Sequence, residues 1–153
     1  GVLIRFVNGT YYIENMVAFQ EAPIETDNRF YAICTQDAAY ARKTGARLLI
    51  RWEEEGGSSG KRESVRLMQE VSKRVKAANC RGVKSTEDKI LRGKPFSAQA
   101  KGGNIKVLDA DWTDEWLTHM HNQPDIPHDD IHDATTGAFN SLGDTGWARG
   151  AGK

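Results

Sequence analysis

The chain has 153 residues, Lys plus Arg equal to Asp plus Glu at 21 each, and a net charge of zero. That length matches one compact domain large enough to bury its own core. Charge balance excludes any overall attraction to phosphate, so nucleic-acid contact would need a local basic patch. No apolar run reaches the roughly 20 residues needed to span a bilayer, and the N-terminus lacks a signal-like segment. Two cysteines, Cys34 and Cys80, have no metal-ligand spacing and read as reduced thiols.

In chain order, residues 1–6 are strand-like, Asn8-Gly9 is a two-residue hairpin signal, and 11–19 resume a β-branched and aromatic run. Because Gly1-Val2-Leu3-Ile4 opens inside a strand, a further strand is expected upstream. Residues 25–43 place Phe30, Ile33, Cys34, Ala38 and Ala41 at three- and four-residue spacing before Gly45, which predicts an amphipathic helix. Residues 47–52, with Leu48-Leu49-Ile50 inside, predict a buried strand that runs into Glu53-Glu54-Glu55. After the break at Gly56-Gly57-Ser58-Ser59-Gly60, residues 61–78 repeat Val65, Met68, Val71, Val75 and Ala78 on a helical period. Further elements are a short strand at 83–85, a helix at 90–100 despite Pro95, a strand at 105–108, and helices at 112–121 and 129–142. Strands first, then alternating helices and strands, predict an α/β three-layer domain with a mixed sheet over residues 1–142 and a Gly-rich tail at 143–153.

Asp129, Asp130 and Asp133 open the last helix. Three carboxylates so close repel one another unless protons or hard cations neutralise them, so the cluster is either a dipole-favoured cap or a metal site. Glu53 follows a buried strand directly and so lies at its carboxyl end, where open α/β sheets place their sites. Period-two alternation puts Glu53 and Glu55 on one face and Glu54 on the other.

Residues 56–61 fail as a phosphate-binding loop, because Glu55 stands where the first Gly is needed and Arg62 where the hydroxyl is needed. His119, His121, His128 and His132 fit no common zinc spacing. A carboxylate-dominated set suits Mg²⁺ or Mn²⁺. Lys61, Arg62, Lys84, Lys89, Arg92 and Lys94 form a basic series between the acidic elements.

Four segments in order carry a family resemblance. They are Trp52-Glu53-Glu54-Glu55-Gly56-Gly57-Ser58-Ser59-Gly60-Lys61, Asp88-Lys89-Ile90-Leu91-Arg92-Gly93-Lys94-Pro95-Phe96, Gly103-Asn104-Ile105-Lys106-Val107, and His128-Asp129-Asp130-Ile131-His132-Asp133-Ala134. Together they resemble the C-terminal nuclease domain of the large terminase subunit of tailed bacteriophages. The resemblance implies a ribonuclease H-like fold and an endonuclease that cuts concatemeric double-stranded viral DNA during packaging. It implies Glu53, Asp129, Asp130 and Asp133 as catalytic metal ligands, with the family's first catalytic Asp expected upstream of Gly1.

Two-metal phosphodiester hydrolysis needs carboxylates to hold cations about 3.5–4 Å apart. Lys61, Lys89 and Arg92 are the expected DNA contacts, although Lys89 or Arg92 could instead pair with Asp88. Implied partners are DNA, an ATPase domain, a small terminase subunit and a portal, in the cytoplasm of an infected bacterium or encoded by a prophage. Two alternatives stay open: another ribonuclease H-like nuclease, such as a junction resolvase or transposase-like enzyme, and a non-catalytic DNA-binding or motor-docking module.

Overall fold

The computed structural model describes residues 1–76, 78–84, 89–122 and 129–143, Lys89 by its backbone only. The expected Gly-rich tail beyond Gly143, the loop that carries His128, Asp88 and the end of the strand expected at 83–85 lie outside the described residues. The chain divides into two compact units, one formed by Gly1–Ala18 with Glu87–Lys153 and the other by Phe19–Thr86.

The first unit opens with strands β1 (Val2–Val7) and β2 (Thr10–Met16), paired antiparallel. Asn8 and Gly9 both have positive φ, 48° and 82°, the conformation a two-residue hairpin turn demands. A register shift between Leu3 and Ile4 keeps Ile4 opposite Ile13 and Val2 opposite Met16, while Arg5 faces Tyr12. Strand β5 (Ile105–Val107) then pairs parallel to β2, giving the order β1-β2-β5.

Helices α3 (Lys89–Lys101), α4 (Thr113–His121) and α5 (Asp130–Gly143) complete this unit. Its core joins Tyr11, Ile13 and Met16 from the sheet to Phe96, Trp116, Ile131 and Phe139 from the helices. Phe139 is the hub: its ring centroid lies 4.6 Å from that of Tyr11 and 5.4 Å from Phe96, the latter pair edge-on. One buried polar chain crosses the helix layer, where Trp116 Nε1 donates to Thr135 Oγ1 at 3.0 Å and that hydroxyl donates to the Ile131 carbonyl at 2.7 Å. Both the Trp116 and the Thr135 donors are satisfied, so burying them carries little cost.

The second unit has helix α1 (Pro23–Thr44), strand β3 (Leu49–Glu54), helix α2 (Gly57–Arg74) and strand β4 (Asn79–Lys84). Pro23 at the first helical turn and Gly45 at φ 68° bracket α1, and the Ala46 N–H closes the end on the Ala41 carbonyl at 2.9 Å. Strands β3 and β4 run parallel, with Leu49 opposite Asn79 and Glu54 opposite Lys84. Ile50 and Trp52 join Tyr31, Cys34, Ala38, Val71 and Val75 in one core, so both helices pack on the same face of the pair. Burial, Asp37 and Cys80 push the Cys34 thiol up to about 12, which leaves it inert.

The expected α/β class is therefore present, but the strands form a mixed three-stranded sheet and a separate parallel pair. Among the described residues no strand joins the two. Helix α2 begins four residues earlier than its apolar period suggests, taking in most of the Gly-Ser run. The reason is packing: a methyl group at Gly60 would sit 2.2 Å from the Glu55 carbonyl oxygen, so only glycine lets the first turn lie against the strand end.

Two glycine substitutions should therefore diverge. Gly60→Ala is expected to lose about 3 kcal/mol through forced overpacking. Gly137→Ala, in α5 with nothing within 4 Å of the added carbon, is expected to gain about 0.5–1 kcal/mol. Urea denaturation of the three proteins checks both signs.

Candidate functional site

The acidic head of α5 is built by its backbone. The Asp133 N–H donates to the Asp129 carbonyl at 2.8 Å, so Asp129 stands at the mouth of the helix and Asp130 begins it. Asp130 is exposed and Asp129 partly buried. Asp130 also acts electrostatically on the Gly1 amino group, which burial holds below its ordinary value and which hydrogen-bonds the Val17 carbonyl at 2.6 Å. Its charge is thus felt at the end of the hairpin where β2 exits. Because β5 runs parallel to β2, with the Leu108 N–H on the Ile13 carbonyl at 3.0 Å, this is the carboxyl end of both strands, where open α/β sheets expose sites.

Asp133 is differently placed. Its Oδ1 accepts from the Arg92 guanidinium at 2.5 Å, and the two side chains are only 12% and 14% exposed. Asn140, seven residues on, donates its Nδ2 hydrogen to the Arg92 carbonyl at 3.0 Å. His132 fills the remaining gap, since a methyl group at Gly93 would come within 3.2 Å of its Nε2. Gly93 thus lets the imidazole ring lie against α3. Removing one member of a buried, hydrogen-bonded ion pair costs about 3–5 kcal/mol, because the other charge is stranded. The Arg92–Asp133 pair is therefore a strong polar tie between α3 and α5.

Arg92, expected to touch a DNA phosphate, has its guanidinium on Asp133. Lys61 is exposed near the start of α2. Lys89 starts α3, and its side chain lies outside the described residues.

Glu53 belongs to the second unit, exposed at the carboxyl end of β3 opposite Val83. Strand alternation sends it to the face away from the helices, with Glu54 on the helix-facing side. There Glu54 lies beside Trp52 and Ser64: a carbon added at Gly82 would meet Ser64 Oγ, Trp52 Nε1 and the Glu54 Cβ. Glu54 is 15% exposed and lies 4.0 Å from Lys84 Nζ. Of the Glu triplet, the sheltered and paired acid is thus Glu54.

The carboxylates are hard oxygen donors of the kind Mg²⁺ and Mn²⁺ take. Among the described residues no three His, Cys, Asp or Glu side chains come together to hold an ion, and Asp133 is engaged by Arg92. No catalytic step through a metal follows from this geometry.

The His132–Arg92–Asn140 seam was not read from the sequence. Its signal is the polar run Asp133, Thr136 and Asn140 at spacings of three and four beside the apolar stripe of α5. No match was found to a protein-family model, a curated protein or a solved structure. What the chain can do has to be read from its own residues.

Burial, with help from Arg92, holds His132 below its ordinary value of 6.5 against the opposing pull of Asp133 and Asp129. Between 6.5 and the lower folded value, the unfolded chain binds the extra proton and the folded one does not. The stabilisation is therefore present above about pH 6.5 and lost as pH falls through the folded value. Thermal melts from about pH 7.5 to 5 should show a steeper loss in the wild type than in His132→Gln.

Proposed function

We propose that this chain is a ribonuclease H-like, metal-dependent endonuclease of the terminase large-subunit kind, acting on double-stranded DNA. What carries the reading is the acidic head of α5, which Asp129 and Asp130 open, with Asp130 exposed. The ordered acid-Gly-Ser-Gly-Lys, Asp-Lys-x-x-Arg and His-Asp-Asp-x-x-Asp-Ala segments support it. So does the antiparallel hairpin followed by a parallel strand.

In this reading Asp129 and Asp130 from α5 supply carboxylates to Mg²⁺ or Mn²⁺, and Glu53 keeps the acidic position that the resemblance implies for it. Lys61 offers a phosphate contact whose strength falls with salt. An ATPase domain, a small subunit and a portal would be partners in the packaging machine, within the host cytoplasm. No helix among the described residues is long and apolar enough to cross a membrane.

A second reading, a non-catalytic DNA-binding or motor-docking module, is favoured by one observation: Asp133 is already neutralised by Arg92. A buried carboxylate with its own counter-charge serves a structural module as well as an enzyme.

Plasmid nicking separates the two. The nuclease reading expects Mn²⁺- or Mg²⁺-dependent cutting with weak sequence preference, reduced at least 100-fold in Asp130→Ala, about the loss that removal of one electrostatic group commonly brings. Cutting that persists in chelator, or full activity in Asp130→Ala, would sink it. DNA binding without any cutting would favour the docking module, and a marked preference for branched DNA would favour a resolvase.

A further inference from the structure

The expected role of Asp133 as a metal ligand and that of Arg92 as a phosphate contact both place these side chains facing a ligand. The structure has them facing each other across the α3–α5 contact, 2.5 Å apart and nearly out of solvent. Three further features make the pair a built junction. The Arg92 backbone is tied by Asn140, the neighbouring Gly93 admits the His132 ring, and Thr136, fully buried one turn on, donates to the His132 carbonyl at 3.0 Å.

We infer that Arg92 and Asp133 are a positioning pair, neither a phosphate contact nor a metal ligand, and that they fix the head of α5 from which Asp129 and Asp130 project. The physical need is clear. The first turn of a helix has backbone donors without intrahelical partners and frays unless something outside the helix holds it. Here the Asp133 N–H closes the first turn on the Asp129 carbonyl while the Asp133 side chain is anchored to α3. Anchoring one residue therefore orders the backbone that carries the two acids before it. A guanidinium suits this task, because it stays charged and offers several donors in a rigid plane. The functional consequence for Asp129 and Asp130 rests on the nuclease reading above; the pairing itself does not.

The test uses the full chain with Arg92→Gln, Asp133→Asn, the double variant, and the conservative Arg92→Lys should Arg92→Gln fail to fold. Each single change should lower the melting temperature by roughly 10 °C, with the double variant losing little more than one single change. Arg92→Gln should leave the salt dependence of affinity for a DNA duplex unchanged, and Asp133→Asn should keep the Mn²⁺-induced rise in melting temperature. In cleavage, both variants should lower kcat with KM unchanged, and Arg92→Lys should recover part of the loss.

Additive losses in the double variant would overturn the pairing. A salt slope reduced by about one unit in Arg92→Gln would return that residue to the phosphate. Loss of the Mn²⁺ effect in Asp133→Asn would return that residue to the metal. If the wild type neither binds Mn²⁺ nor cuts DNA, the nuclease reading fails, while the melting-temperature cycle still decides the pair.

Discussion

Carboxylates crowded onto one helical turn need a source of positive charge, and in α5 part of it comes from within the fold, at Arg92 on the neighbouring helix. Much of the first unit depends on that contact. It sets α5 beside α3, and with α5 in place Phe139 meets both Tyr11 of the sheet and Phe96 of α3. The ionic tie is itself nearly out of solvent. A charge pair screened in this way is stronger than one on the surface and more damaging when broken.

The second unit solves its packing by another route. Trp52 donates to Ser64 at 3.1 Å, and Gly82 leaves the space in which those two groups and Glu54 meet. Its ion pairs lie nearer the surface. Glu70 is drawn down to about 2 by Arg74 and Lys73, and Arg66 gathers Glu63 and Asp27. Exposed pairs of this kind mostly shape the surface of the helices and contribute little to stability.

Much of the element order was legible in the sequence because it rests on periodicity and on turn chemistry. Asn8-Gly9 announced the hairpin, Gly45 ended α1, and the apolar periods of α1 and α5 marked their buried faces. Less legible were features that depend on long-range pairing. The single mixed sheet expected from the strand pattern is divided between two units, since strand content does not specify which edges meet. The start of α2 was hidden because its glycines look like a flexible break, whereas Gly60 is required by the Glu55 carbonyl against it.

At the candidate site, the acids' place at the opening of the last helix could be read in advance, and so could the alternation within the Glu triplet. The partner of Asp133 could not, because Arg92 lies 41 residues away.

The division into units also bears on how the molecule assembles. The second unit is one uninterrupted stretch, Phe19–Thr86, set between the two segments of the first. A ribosome releasing the chain from its N-terminus finishes that stretch while the opening hairpin still lacks β5 and every helix of its own core. The hairpin must wait for Ile105 to extend its sheet and for Phe139 to cover Tyr11. Contacts that close such long loops form slowly, and a waiting hairpin with an apolar face is the part of the nascent protein most exposed to mispairing.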